Sequence, residues 1–160
     1  SHSFSISLWM IYIEVEPLEK MKAYLSFLFP MLLFSQENDI CGKWIEEKKQ
    51  SHIEIYKTTN NQYEGKIVWL LEPLNEEGEI KKDTKNPDIT LRNKTIEGLI
   101  IVKNLEYLDN NEWGKGSIYD ARSGKTYSLN AKLKNNNTLF MRGYIGFSLI
   151  GKSTIWTRVN

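Results

Sequence analysis

The sequence predicts an all-β protein, an antiparallel up-and-down β-barrel of about eight strands. From Cys41 onward, short runs rich in Ile, Val, Tyr, Trp and Thr recur about every ten residues, separated by Asn, Asp, Ser and Gly. Two of these runs alternate apolar and polar side chains with the period of two that a half-buried strand requires. No segment carries a long apolar stripe with helical spacing, so a helical body is not expected.

The composition is that of an ordinary globular protein. Of 160 residues, 41% are hydrophobic and 26% are charged, and the formal net charge is +1. These values exclude a disordered chain, a collagen and a polytopic membrane protein, and the near-neutral charge argues against a nucleic-acid partner. The single cysteine, Cys41, excludes an intrachain disulfide, and we expect it to be a small, buried apolar side chain.

Residues 21–35 have the parts of a secretory signal peptide. Met21 and Lys22 are followed by the uncharged apolar run 23–34 and the small residue Ser35. The run is shorter than the roughly 20 apolar residues that cross a bilayer, so no membrane span is expected in the mature protein. We interpret residues 1–20 as upstream sequence or an expression remnant, with a genuine amphipathic segment as the alternative, and residues 36–160 as one β-barrel domain.

The predicted strands follow one another with short polar separators. Each separator contains Asn, Asp, Ser or Gly, which tolerate left-handed backbone conformations and favour hairpins between neighbouring strands. Closing such a sheet removes its exposed edges, whereas a two-sheet sandwich is the alternative with the same strand count. The eight predicted strands are 42–47, 52–58, 63–71, 99–107, 113–121, 125–134, 138–147 and 153–159.

The one long connection, residues 72–98, is the main irregular segment. Asn86 followed by Pro87 predicts a short helix near 87–94, because Pro is favoured at the first helical position. A loop of this length in a small domain is usually functional or a lid. Asp83, Asn86 and Asp88 could form an oxygen-ligand cation site, but their spacing matches no calcium loop and favours local turn chemistry.

The first and last predicted strands carry a recognisable pair of motifs. Gly42-Lys43-Trp44 opens the first strand, and Trp156-Thr157-Arg158 closes the last. This arrangement resembles the calycin pattern of lipocalins, and it implies a lipocalin- or fatty-acid-binding-protein-like barrel with Gly42, Trp44, Trp156 and Arg158 at its closed end. An arginine guanidinium over an indole face contributes about 0.5–2 kcal/mol, so these roles are structural.

Further short motifs are spread over residues 41–159: Gly42-x-Trp44, Ile55-Tyr56, Tyr63-x-Gly65-Lys66-Ile67-Val68-Trp69, Asp83-x-x-Asn86-Pro87, Ile118-Tyr119-Asp120, Ser123-Gly124-Lys125-Thr126-Tyr127, Arg142-Gly143-Tyr144-Ile145-Gly146 and Trp156-x-Arg158. Together they resemble a bacterial family known only as a domain of unknown function, number 2147. Ala121 departs from this pattern, since the family commonly has Pro after the Tyr-Asp pair. The resemblance implies a signal peptide, a small β-barrel and a periplasmic or secreted location, and it implies no reaction.

Two pairs of residues are candidate ligand anchors. Arg142 and Tyr144 resemble the Arg-x-Tyr pair with which intracellular fatty-acid-binding barrels hold a carboxylate. Lys125 and Tyr127 share a predicted strand face with Leu129, which would place them at the inner rim.

The direction of Arg142 stays open at this point. The opposite face of its strand carries Leu139 and Met141 and is more apolar, so hydrophobic patterning points Arg142 outward. A barrel that encloses a ligand can invert this rule and turn Arg142 inward.

The leading interpretation is an exported barrel that binds a small apolar or amphipathic ligand, such as a fatty acid, in its interior. The alternative is a non-catalytic cell-envelope structural or protein-interaction module with a filled barrel. An enzyme is less favoured, because His52 lies near no nucleophile elbow and, as the single histidine of residues 36–160, cannot build the usual zinc site. The sequence therefore predicts no catalytic residue, metal site or cofactor, and it leaves the oligomeric state open.

Overall fold

The computed structural model describes residues 39–147 and 150–160. Residues 1–20 and the predicted signal peptide 21–35 lie outside the described residues. The eight strands are β1 Gly42–Ile45, β2 Ser51–Lys57, β3 Tyr63–Leu70, β4 Ile100–Asp109, β5 Glu112–Asp120, β6 Lys125–Asn135, β7 Thr138–Tyr144 and β8 Gly151–Arg158.

The strands form one closed barrel. Each strand pairs antiparallel with its neighbours in sequence, and β1 closes on β8 through Trp44 opposite Arg158 and Ile45 opposite Thr157. The predicted up-and-down barrel is therefore confirmed, and the sandwich is excluded because all eight strands share a single sheet.

The polar residues predicted to separate the strands do adopt left-handed conformations in the turns. Asn61, Asn110 and Asn111 have φ angles of 60°, 47° and 60° and connect strands as left-handed turn residues. β7 ends at Tyr144, earlier than the predicted 147, and β8 begins at Gly151, earlier than 153.

The predicted helix near 87–94 shrinks to one 3₁₀ turn, Ile89–Leu91. Its N-cap is Asp88, whose side chain accepts a hydrogen bond from the Thr90 backbone N–H, rather than Asn86. The Asn86 amide is used elsewhere, because its Nδ2 donates to Asp83 and its Oδ1 accepts from the Asp88 backbone N–H.

The interior is packed with apolar side chains. Along β6 the inward residues Leu129, Ala131 and Leu133 are buried, whereas Ser128 and Lys132 between them are not. Three tryptophans belong to the same buried cluster, Trp44, Trp113 and Trp156. The barrel is thus a side-chain-filled core along much of its length.

The connections alternate between the two ends of the barrel. The closed end carries Trp44, Arg158 and the β2–β3, β4–β5 and β6–β7 turns. The other end carries the β1–β2, β5–β6 and β7–β8 connections and residues 71–99, which link β3 to β4. We call residues 71–99 the strap and this end the strap end.

The strap is folded upon itself and tied to β3. Isolated bridges pair Leu74 with Ile80 and Lys82 with Thr95. The Gly98 N–H donates to the Ile67 carbonyl at 2.7 Å, and the Ile67 N–H donates to the Leu99 carbonyl at 3.0 Å. The long connection is therefore an ordered element with its own hydrogen bonds.

Candidate functional site

The closed end is sealed by an arginine over an indole. The Arg158 guanidinium carbon lies 4.2 Å from the centre of the Trp44 ring. Its Nη1 donates to the Cys41 carbonyl and its Nη2 to the Asp39 carbonyl, at 2.7 and 2.8 Å. The buried Trp44 indole N–H donates to the Ile40 carbonyl at 2.9 Å. These bonds hold the segment before β1 across the end of the barrel.

Gly42 and Trp156 complete the closed end. Gly42 has a φ of +128°, and a Cβ there would lie 2.6 Å from Arg158 Nη1, so a larger residue would displace the guanidinium. Trp156 is buried and pairs with the buried Leu139 across β7 and β8. Burial raises the pKa of the Cys41 thiol to about 12, helped by a hydrogen bond with Asp39, so the thiol is protonated at neutral pH.

Lys125 and Tyr127 occupy inward-facing register positions near the strap end. Tyr127 is paired with Ile118, and a Cβ at Gly143 would lie 3.6 Å from side-chain atoms of both, which places all three on the inner surface. Lys125 is exposed at the start of β6 opposite Asp120, whose side chain accepts hydrogen bonds within the β5–β6 turn.

Arg142 and Tyr144 lie on the other surface of the sheet. They alternate with the fully buried Leu139 and Met141, so the register places them on the outside of the barrel. Arg142 Nη1 donates to Ser153 Oγ on the adjacent strand at 3.0 Å. The structure therefore separates the four predicted anchors into an inner pair and an outer pair, because the apolar face of β7 is the one that fills the core.

A buried carboxyl group fastens the strap to the barrel wall. Asp83 is fully buried, and its Oδ1 accepts a hydrogen bond of 2.7 Å from the Tyr119 hydroxyl on β5. Its Oδ2 accepts a second bond of 2.7 Å from Asn86 Nδ2. Burial, followed by the hydrogen bond to Asp83, raises the pKa of Tyr119 to about 12, so the phenol remains a donor at neutral pH.

The β5–β6 turn packs against the same part of the strap. Gly124 has a φ of +71°, and a Cβ there would lie only 2.1 Å from the Lys85 carbonyl oxygen. The Gly124 N–H donates to the Asp120 carbonyl at 2.8 Å. The motif residues 83–87 of the strap thus meet the motif residues 118–120 and 123–127 around the β5–β6 turn, although the strap motif lies far from them in sequence.

Replacing Gly124 tests this close approach. We expect Gly124→Ala to lower the free energy of unfolding by about 1–3 kcal/mol more than Gly78→Ala, because the methyl group must displace the Lys85 carbonyl. Gly78 is the matched control, since its φ of +79° carries the same backbone strain and nothing lies within 4 Å of its Cβ position. Chemical denaturation of both variants measures the difference, and equal losses would contradict the packing of the turn on the strap.

A groove runs between the strap and the outer wall of β4, β5 and β6. Its volume is about 570 Å³, and Ser117, Tyr119 and Thr126 form part of its wall. Ser117 and Tyr119 flank the inward-facing Ile118, so they face away from the core. The strap side includes Leu91 and Leu99. The groove is therefore outside the barrel, on the side that the strap covers.

The groove combines an apolar wall with positive charge. Its aliphatic members are Leu91, Leu99, Ile100 and Ile101, and Lys94 and Lys103 lie beside them with one acidic residue, Glu97. Within residues 39–147 and 150–160, neither lysine forms an ion pair. A second groove of about 460 Å³ continues along β3 and shares Thr95, Glu97 and Gly98 with the first.

Sequence reasoning missed this groove. The spacing of Asp83 and Asn86 favours local turn chemistry, and Tyr119 belongs to a motif to which the sequence assigns no role. The sequence does contain one signal for this contact. Asp83 is followed by Asn86-Pro87 inside a long, charged connection, and such a connection can bury a carboxyl group against a strand. The partner strand, 36 residues away, is decided only by packing.

His52 lies at the start of β2, where its ring centre is 4.4 Å from the Trp69 ring centre and the two ring planes are tilted by 40°. Among the described residues there is no group of three or more His, Cys, Asp or Glu side chains placed to hold a metal ion. The described part of the chain also holds no helix that is long and apolar enough to traverse a bilayer.

Comparison with known proteins identifies one family and one similar fold. A family model described as an uncharacterized protein conserved in bacteria, DUF2147, matches residues 42–158. The structure of protein HP1028 from Helicobacter pylori, which belongs to the lipocalin family, is similar with a TM-score of 0.66. It is 21% identical, and the match covers 76% of this chain and 84% of that one, so the likeness is one of fold. No curated protein matches the chain.

Proposed function

The chain belongs to the bacterial DUF2147 family and has a lipocalin-like barrel, and on that premise we propose that it binds a small amphipathic molecule with an acidic head group, such as a fatty acid. The observation that carries the proposal is the groove of about 570 Å³ between the strap and the outer wall of β4–β6. Its volume lies within the range of about 300–1,000 Å³ that is usual for small-molecule sites.

The filled core supports a site outside the barrel interior. Trp44, Trp113 and Trp156 are buried among aliphatic side chains on the inner surface. A ligand of fatty-acid size inside would have to displace several of these side chains, which is costly in a close-packed core. The groove needs no such displacement, so we place the ligand there rather than in the interior that the sequence alone predicted.

The groove residues supply both halves of an amphipathic site. Leu91, Leu99 and Ile101 offer aliphatic contact for a hydrocarbon chain. Lys94 and Lys103 offer ammonium donors for a carboxylate, and a charge-assisted hydrogen bond is stronger than a neutral one. Export to the periplasm or beyond is part of the proposal, and it is supported by the signal-peptide pattern of residues 21–35.

Ligand titration tests the site directly. We expect hexadecanoate to displace anilinonaphthalene sulfonate from the protein, and Lys94→Gln or Lys103→Gln to weaken hexadecanoate binding by about fivefold, a loss near 1 kcal/mol, while hexadecanol binding changes little. Lys43→Gln is the matched control, because Lys43 is an exposed lysine on β1, away from the groove.

A second variant separates the groove from the interior. Ser117 faces the groove from β5, so Ser117→Trp fills the groove and leaves the core residues in place. Loss of hexadecanoate binding with an unchanged melting temperature supports the groove. Undiminished binding would move the ligand to another site.

The alternative function is a non-catalytic structural or protein-interaction module. The packed interior favours it, since the three core tryptophans leave the inner surface occupied by the protein itself. Under this alternative neither hexadecanoate nor hexadecanol displaces the dye, so the same titration distinguishes the two functions.

A further inference from the structure

The two grooves on the outer wall meet at one segment of the strap, residues 95–98, which we call the ridge. Thr95, Glu97 and Gly98 line both grooves. The groove of about 570 Å³ lies on one side of the ridge, on β4–β6, and the groove of about 460 Å³ lies on the other side, on β3. Each volume by itself is within the range of a small-molecule site. The strap therefore borders two neighbouring compartments.

The ridge lies directly on the barrel wall. The Gly98 N–H donates to the Ile67 carbonyl on β3 at 2.7 Å, and the Ile96 N–H donates to the Lys81 carbonyl at 3.0 Å. The Ile96 side chain is partly buried against the core cluster, so the ridge is also anchored from below. Direct hydrogen bonds of this length leave no space for a hydrocarbon chain between the ridge and β3. A chain in one groove therefore cannot run beneath the ridge into the other.

The second groove has an apolar wall of its own. Its apolar members come from β3 and from the strap: Ile67, Val68, Leu70, Pro73 and Ile80. Ile80 is 58% exposed, so a hydrocarbon chain placed there removes apolar surface from water. Two apolar compartments on either side of an anchored ridge fit two hydrocarbon chains that are joined above the ridge.

Charges of both signs surround the ridge. Glu97 is exposed on the ridge itself. Among the described residues, four lysines line the two grooves: Lys66, Lys81, Lys94 and Lys103. Three of them have an acidic neighbour outside the grooves: Glu72 lies 3.6 Å from Lys81, Glu54 is opposite Lys66 on β2, and Asp88 interacts electrostatically with Lys94. This mixture of signs complements a head group that carries both a phosphate and an ammonium.

We propose that the site under the strap takes a two-chain phospholipid with a zwitterionic head group, with one acyl chain in each groove and the head group over the ridge. The groove lysines hold the phosphate, which is the acidic group of the proposed ligand, and Glu97 accepts hydrogen bonds from the ammonium. The inference rests on the proposed function, because it specifies the class of amphipathic molecule and adds the second groove to its site.

Dye displacement from the full chain by monomeric dihexanoyl phosphatidylethanolamine tests the two-chain site. We expect Ile80→Asn to weaken binding of this lipid about fivefold, because the second groove loses apolar contact, and to leave hexadecanoate binding in the first groove unchanged. Ile155→Asn is the matched control. Ile155 is 48% exposed on β8 and lines neither groove, so its replacement should change neither affinity.

Glu97→Gln tests the head group. The Thr95 hydroxyl donates to the backbone carbonyl of Glu97 at 2.8 Å, so replacing the side chain leaves that bond of the ridge in place. We expect the variant to weaken dihexanoyl phosphatidylethanolamine about fivefold and not to weaken dihexanoyl phosphatidylglycerol, which has a phosphate and no ammonium. Equal losses for the two lipids would contradict the role of Glu97 as the partner of the ammonium.

The titrations separate failure of this inference from failure of the proposed function. If hexadecanoate displaces the dye and phosphatidylethanolamine does not, or if Ile80→Asn leaves the lipid affinity unchanged, the two-chain site is wrong and the single-chain site stands. If Ile80→Asn weakens hexadecanoate as much as the lipid, one chain crosses both grooves and the ridge does not divide them. If neither ligand displaces the dye, the proposed function itself is wrong.

Discussion

Trp44→Ala is expected to lower the free energy of unfolding by about 3–5 kcal/mol, the usual range for removing a fully buried tryptophan. Trp44 is 0% exposed, donates its indole N–H to the Ile40 carbonyl and supports the Arg158 guanidinium at 4.2 Å. Its loss leaves a cavity at the seam where β1 pairs with β8. Urea denaturation followed by circular dichroism measures the change.

Trp69→Ala is the matched control for this prediction. Trp69 is 38% exposed on β3 and contacts His52 on the neighbouring strand, so its replacement opens no core cavity. We expect a loss of about 1 kcal/mol or less, typical of a surface position. If the two variants lose the same stability, the closed end does not hold the barrel together as described.

Asp83→Ala is expected to lower the free energy of unfolding by about 2–4 kcal/mol and to loosen the strap. The variant leaves the buried Asn86 amide and the partly buried Tyr119 hydroxyl without their acceptor, and an unsatisfied buried group costs about 1–3 kcal/mol. Because the strap forms one side of the proposed groove, hexadecanoate affinity should fall in the same variant. Hydrogen exchange of the amides of residues 81–96 reports the loosening.

Asp88→Ala serves as the control within the strap. Asp88 is an exposed acidic residue that caps the 3₁₀ turn through Thr90, so its removal should cost about 0.5–1 kcal/mol and leave ligand affinity unchanged. Tyr119→Phe completes a double-mutant cycle with Asp83→Ala, and a coupling energy near zero would show that the bond between the two residues does not hold the strap.

Local pattern was sufficient for most of the strands. All eight strands were predicted from three features: the period of two in 125–134, the β-branched and aromatic runs, and the Asn-rich turns. Each of these signals lies within a few residues of the element it specifies. The same local information overextended β7 to 147 and overestimated the helix near 87–94. In the second case Asn86 is bonded to Asp83, a contact that sequence spacing alone did not reveal.

The anchors illustrate where pattern is insufficient. Arg142 and Tyr144 share one face of β7, and the sequence alone left two orientations open, because a ligand-holding barrel and a filled barrel use opposite faces. The register decided between them, since Leu139 and Met141 are fully buried and fill the core. The groove residues Ile101 and Tyr119 could not be assigned from alternation, because nothing local shows which outer face a distant strap will cover.

The sequence by itself determined that this chain is an up-and-down barrel and where its strands lie, because hairpin pairing and side-chain alternation are short-range properties. It also showed that Gly-x-Trp opens the first strand and Trp-x-Arg closes the last. Only the tertiary structure decided that tryptophans occupy the interior and that Asp83 reaches Tyr119 to hold the strap against the outer wall. Those outcomes depend on contacts between residues far apart in the chain. Alternative arrangements of these residues share the same sequence pattern, and they differ in how well the side chains fill the core and in which buried groups are hydrogen-bonded.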